Sequence, residues 1–211
     1  MRDRYLRQRA AVDQEALSRS RVLVAGAGGL GNFVATELAL AGVGEIVIVD
    51  PDTVEIHNLN RQFLYREEDI GKYKAEIAEE RLKEINPHVS VKGFVGRWQD
   101  LDLNGYDLVF DCLDTWEEKR GLMRSVNGVL VSGSVGEDVG FVSVLVKGEI
   151  PAESIRGTCT QRVLGARVGV IGSIMANEGI RELSGEKSPL RDRILYVEFR
   201  RMEFHILDLP P

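Results

Sequence analysis

The sequence predicts an α/β fold: a Rossmann-like, doubly wound, mostly parallel sheet with antiparallel strands toward the carboxyl terminus. Three observations predict it. Short apolar runs alternate with helix-period segments, the pattern of a parallel sheet covered on both faces. The first such run, Val22-Leu23-Val24-Ala25, enters a turn with glycine at Gly26, Gly28, Gly29 and Gly31, and a helical stripe of Leu30, Val34 and Leu38 leaves it. Late in the chain, Gly140 to Val146 comes too soon after the preceding strand for a crossover helix, so the segment 132–146 reverses antiparallel.

Taken in order, the chain opens with an arginine-rich helix over 5–18, followed by strands at 21–26 and 45–50 flanking a helix at 30–41. A helix over 73–85 carries the stripe Ala78, Leu82 and Ile85 and stops at Asn86-Pro87, because proline disfavours helical backbone in its predecessor. Strands at 88–95, 107–112 and 128–135 complete the parallel part, with a helix at 116–126 between the last two. Residues 147–162 lack a regular period and read as a loop, of a length that is usually functional. The helix predicted from 163 to 183 is rich in small residues, Gly165, Ala166, Gly169, Gly172, Ser173 and Ala176, which suit close packing against the sheet or a second subunit. Two strand-like runs between Ile194 and Leu207 form a hairpin through Arg200-Arg201.

With 211 residues, 44% hydrophobic and 28% charged, the chain fits one domain, 1–211, with an amino-terminal helical arm (1–20) and a crossover loop (147–162). No apolar run is long enough to span a bilayer, and Met1-Arg2-Asp3-Arg4 leads into a charged segment rather than a signal-peptide core, which predicts a cytoplasmic protein without a membrane partner. Two cysteines, Cys112 and Cys159, provide neither a disulfide framework nor a CxxC pair. A net charge of −6 argues against nucleic acid as a partner, because a phosphate backbone requires clustered positive charge.

The glycine turn lets phosphate approach bare backbone at a helix N-terminus, and Asp50, at the end of the next strand, can accept hydrogen bonds from ribose hydroxyls. The residues beyond Asp50 choose among nucleotides. Asp52, Asn58, Arg61, Gln62 and Lys74 crowd this stretch, where a dinucleotide dehydrogenase has no use for them and a triphosphate does. Arg61 offers a planar fork for phosphate oxygens, Lys74 a compact charge, and Asn58 an amide donor. Singly, each also fits a solvated arginine, a snorkelling lysine or a turn-forming asparagine. Asp114 comes after the apolar strand Leu108-Val109-Phe110 and so stands at the carboxyl end of the sheet, where such folds bind ligands. Its carboxylate suits magnesium, and with Glu117 it also fits a capping box.

These residues bear a family resemblance. Arg4-Tyr5-Leu6-Arg7-Gln8, Gly26–Gly31, Val49-Asp50-Pro51-Asp52-Thr53-Val54, Asn58-Leu59-Asn60-Arg61-Gln62, Gly71-x-x-Lys74 and Val170-Ile171-Gly172-Ser173 resemble, in order, motifs of the ThiF/MoeB/HesA group of ubiquitin-activating-type adenylyltransferases. Asp111-Cys112-Leu113-Asp114 resembles the group's Asp-Cys-x-Asp, whose second aspartate engages magnesium. The resemblance implies that the carboxylate ending a small protein's Gly-Gly tail attacks the α-phosphate of ATP, giving an acyl-adenylate and pyrophosphate. It further implies a homodimer in which Arg7 reaches the partner's γ-phosphate, a ubiquitin-like sulfur carrier as substrate, a separate sulfur-donor protein, and Cys159 as an acyl acceptor. The CxxC pairs that hold zinc in many members are missing, so no zinc is expected, and Lys119 stands where arginine is common. Adenylation of a small molecule or modified tRNA base, as in the threonylcarbamoyl-adenosine dehydratases, remains the second reading. A nicotinamide-dependent oxidoreductase and an inactive binding partner stand further back.

Overall fold

In the computed structural model, which describes residues 4–146, 149–151 and 162–209, the apolar periodicities settle into α1 (Gln14–Arg19), β1 (Arg21–Ala25), α2 (Gly29–Ala41), β2 (Glu45–Val49), α3 (Lys74–Ile85), β3 (Ser90–Phe94), β4 (Leu108–Asp111), α4 (Trp116–Ser125), β5 (Leu130–Val135), β6 (Val139–Leu145), α5 (Gly165–Leu183), β7 (Arg193–Glu198) and β8 (Glu203–Asp208). One sheet holds all these strands in the order β3-β2-β1-β4-β5-β6-β7-β8. β3 through β5 in that row are parallel and the last three pairings antiparallel, as the sequence predicts.

β1 lies between β2 and β4, with Ala25 level with both Val49 and Asp111. The chain leaves β1 toward β2 and enters β4 from the opposite edge, so a crevice opens above the carboxyl ends of these strands, where α/β sheets take their ligands. Two apolar clusters cover the faces. Val22, Val24, Val34, Leu38, Ile48, Phe110 and Ile171 pack under α2, α3 and α5, while Leu23, Val47, Trp98, Val109, Leu122 and Phe141 pack with α4 on the other side. Two glycines of α5 are required by packing within the chain: a Cβ on Gly172 would lie 2.6 Å from Phe33 of α2, and one on Gly179 would lie 2.2 Å from Phe110 of β4.

The helix predicted over 5–18 is corrected. Residues 4–12 form successive turns, and helix begins only at Gln14, where Asp13 accepts the N–H groups of Glu15 and Ala16. Tertiary contacts override the local pattern. The ring of buried Tyr5 covers the left-handed cap of α2 at Gly42, and the Gln8 side-chain amide donates to the Ala41 carbonyl at 2.8 Å. The tail hairpin forms as expected, with the Glu198 carboxylate accepting the N–H groups of Arg200 and Arg201. Most of the predicted loop at 147–162, including Cys159, lies outside the described residues. No helix among the described residues is long and apolar enough to cross a membrane.

Candidate nucleotide site

The glycine turn is built by sterics. Gly26 adopts a left-handed φ of +98°, and a Cβ there would lie 2.8 Å from the Cys112 carbonyl oxygen. A Cβ on Gly31 would lie 2.0 Å from the Gly26 carbonyl oxygen, so helix and turn can close only on glycine. Gly31→Ala is therefore expected to destabilise the fold by about 1–3 kcal/mol, the range of overpacking in a closed core, measurable as a lower denaturant midpoint. At Gly28 the only atom of the described residues within 4 Å of such a Cβ is the Gln62 amide nitrogen at 3.9 Å, which leaves this part of the turn open to the crevice.

Cross-braces hold the turn against the segment after β2. Asp50 accepts the Ala27 N–H at 2.7 Å through one carboxylate oxygen and the Asp52 N–H at 2.8 Å through the other. Burial pushes the Asp50 carboxyl above its ordinary value, against the opposing pull of the Lys74 ammonium and these two N–H groups. Buried Asn32 donates to the carbonyls of Ala27 and Gly28 and accepts the N–H of Leu64, while the Tyr65 hydroxyl donates to the Ala27 carbonyl at 2.7 Å. Sequence patterns single out neither Asn32 nor Tyr65. Together they fix the glycine turn and the Asn58–Gln62 stretch as one body.

A cavity of about 1000 Å³ opens over this body. It is lined by Gly26, Gly28 and Gly29, by Asp50, Asp52, Asn58, Arg61, Gln62 and Lys74, and by Asp114, so the predicted side chains and the glycine turn meet in one place. Gly31 and Arg7 are not among its lining residues; Gly31 acts through packing, and Arg7 is exposed on the turns before α1.

The side chains leave polar capacity pointing inward. Lys74, at the first position of α3, is only 7% exposed, which sets aside the snorkelling alternative. Among the described residues its ammonium meets a single carboxylate, that of exposed Asp52 at 3.1 Å. Arg61 binds the His57 carbonyl and the Asn60 side chain through one terminal nitrogen and lies along Gly29 at the start of α2. The rest of its fork has no partner among the described residues. Buried Asn58 accepts the Glu55 N–H and keeps its amide nitrogen for the cavity. Gln62, 3% exposed, has its amide oxygen buried with no hydrogen-bond partner. An orphaned amide of this kind ordinarily marks the place of a ligand or water.

Asp114 stands across the cavity, exposed and without a hydrogen-bond or ion-pair partner among the described residues. The capping alternative is corrected: the N-cap of α4 is Thr115, whose hydroxyl accepts the Glu118 N–H. A lone carboxylate on the cavity wall is a group that could hold magnesium, which binds through one or two carboxylates and substrate phosphates. No group of three acidic, histidine or cysteine residues that could cage a metal occurs among the described residues. Cys112 is buried and burial pushes its thiol strongly upward, which suits a packing role.

Sequence reasoning missed the far wall. Gly96, Arg97 and Trp98 after β3, Glu118 on α4, and Ser134 and Val135 on β5 also line it. The Trp98 indole N–H donates to Glu118 at 2.7 Å, a contact between residues 20 apart that local patterns do not reveal.

Residues 2–211 match the ThiF family. The chain is similar to the molybdopterin-synthase adenylyltransferase of Escherichia coli (33% identical, covering 93% of this chain and 86% of that one) and to the sulfur carrier protein adenylyltransferase of Thermus thermophilus (33% identical, covering 97% and 86%). Other curated relatives are longer, and the chain spans 55% of one from Porphyra purpurea. The fold matches the crystal structure of E. coli MccB with AMPCPP and MccA at a TM-score of 0.80, with 20% identity over 93% of this chain and 66% of that one. A family match over nearly the whole length takes in the glycine turn, Arg61, Lys74 and the lone carboxylate of Asp114, and the chain belongs to the ThiF family.

Proposed function

We propose that the chain is an ATP-dependent adenylyltransferase that activates the carboxyl-terminal Gly-Gly of a ubiquitin-like sulfur-carrier protein. The observation that carries this reading is the convergence of the donors Arg61, Lys74 and Asn58 on one cavity, opposite Asp114. That donor set exceeds what a ribose or a pyrophosphate bridge needs and suits three phosphoryl groups. The names of the E. coli and Thermus relatives, both adenylyltransferases, support the same chemistry.

Asp50 would orient the ribose, and the open N-terminus of α2 would receive phosphate. Arg61 and Lys74 would neutralise the pyrophosphate as the carrier's carboxylate displaces it from the α-phosphorus. Catalysis of this kind is positioning and charge neutralisation rather than proton transfer. Asp114 would hold magnesium, which withdraws charge from the phosphate oxygens when bound.

The test is exchange of labelled pyrophosphate into ATP, run with and without a sulfur-carrier protein ending in Gly-Gly. Carrier-dependent exchange is expected, and exchange that ignores the carrier and answers instead to a small acid or tRNA would move the assignment to the second reading. Arg7 bears on the assembly. Its guanidinium is exposed and outside its own chain's cavity, which suits service in a partner's site within a homodimer. Mixing Arg7→Ala with Asp114→Ala chains is expected to restore roughly a quarter to a half of wild-type exchange, since mixed dimers keep one intact site; mixtures as inactive as the separate variants would exclude service in trans, and Arg7→Ala chains active on their own would place Arg7 outside the reaction. Cys159 as acyl acceptor and a separate sulfur donor belong to the steps after adenylation.

A further inference from the structure

Beneath Asp114 lies a charged cluster that the adenylation chemistry does not use. Lys119, one turn into α4, is fully buried, and so are Asp111 at the end of β4 and Ser132 on β5. The Lys119 ammonium donates to an Asp111 carboxylate oxygen at 3.1 Å, to the Asp111 carbonyl at 3.4 Å and to the Gly133 carbonyl at 2.7 Å. Ser132 donates to the other Asp111 carboxylate oxygen at 2.6 Å, and the first oxygen also accepts the Leu113 N–H at 3.2 Å.

A buried ion pair is poor evidence for stability, because desolvation offsets its attraction, and packing alone would be served by apolar residues. This pair does something that apolar residues cannot. It ties the ends of β4 and β5 to α4 and, through the Leu113 N–H, sets the bend from which Asp114 projects. Asp114 itself has no partner among the described residues to hold it, so its direction depends on the bracket beneath. The next residues on β5, Ser134 and Val135, line the same cavity. We infer that Lys119, with Asp111 and Ser132, is a positioning device that aims the Asp114 carboxylate at the metal–phosphate locus. The inference rests on the proposed role of Asp114 as the magnesium ligand.

The test uses ATP and Mn²⁺, with no carrier, and reads how far Mn²⁺ tightens ATP binding to the full chain by calorimetry. The principal variant is the double change Asp111→Asn with Lys119→Met, which removes both charges and leaves none buried alone. Losing the supporting shell of a metal ligand typically weakens metal affinity by about 10–100-fold, so the Mn²⁺ enhancement is expected to fall at least about tenfold while metal-free ATP affinity stays within about twofold. An undiminished enhancement in the folded double variant overturns the inference. So does an equal loss of metal-free ATP affinity, which marks general damage. Should the double variant fail to reach wild-type circular dichroism, Ser132→Ala decides: it keeps the ion pair, and an enhancement equal to wild type again overturns the inference, whereas a severalfold drop supports it. Asp114→Ala run in parallel separates the two levels. If it retains the enhancement, the role of Asp114 itself fails; if it loses the enhancement while the double variant keeps it, only the bracket fails.

Discussion

Asp114→Ala is expected to lower carrier-dependent ATP–pyrophosphate exchange by at least about 10²–10³-fold, the loss typical of removing one preorganised electrostatic element from a transition state. The same variant is expected to melt close to wild type. Asp114 is exposed, makes no hydrogen bond or ion pair among the described residues, and does not cap α4, a role that falls to Thr115. Surface substitutions free of such features usually stay within about 0.5 kcal/mol. The combination is diagnostic: exchange near wild type would remove Asp114 from the chemistry, and a large drop in melting temperature would show that it supports the fold.

The largest stability effect is expected at Lys119. Replacing it alone with methionine leaves the Asp111 carboxylate fully buried without its counter-charge, with only Ser132 and the Leu113 N–H among the described residues to satisfy it. Breaking a buried pair in this way costs about 3–5 kcal/mol. At about 2–4 °C per kcal/mol for a chain of this size, the melting temperature should fall by roughly 6–20 °C. Adding Asp111→Asn should recover most of the loss, because both charges are then gone. Scanning calorimetry of the three proteins checks the pattern, and a single variant as stable as wild type would mean that water reaches Asp111.

The parallel part of the sheet, its antiparallel end and the glycine turn are legible in the sequence because each rests on a local pattern: short apolar strands, a turn that only glycine closes, and a strand reversal too tight for a helix. The cavity floor is legible for a related reason. Asp50, Asn58, Arg61, Gln62 and Lys74 succeed one another within one connection, so their convergence needs no knowledge of distant packing. Features that depend on distant packing are not legible. The first segment reads as helix from its composition, yet Tyr5 and Gln8 are drawn into turns by α2, more than 30 residues away. The burial of Lys119 depends on distant packing too, since its ammonium is received by the Asp111 carboxylate at the end of β4 and the Gly133 carbonyl on β5. Trp98 and Glu118 meet only once β4 has brought the segment after β3 and helix α4 to the same end of the sheet.

Convergence of the cationic residues after β2 on a triphosphate is the claim from which the assigned chemistry derives. A crystal structure with a non-hydrolysable ATP analogue and Mg²⁺ tests it most directly. Phosphate oxygens are expected within hydrogen-bond distance of Arg61 and Lys74, with the metal against Asp114 and the ribose hydroxyls on Asp50. Phosphates lying elsewhere, with Arg61 turned to solvent and Lys74 still closed on Asp52, would contradict it.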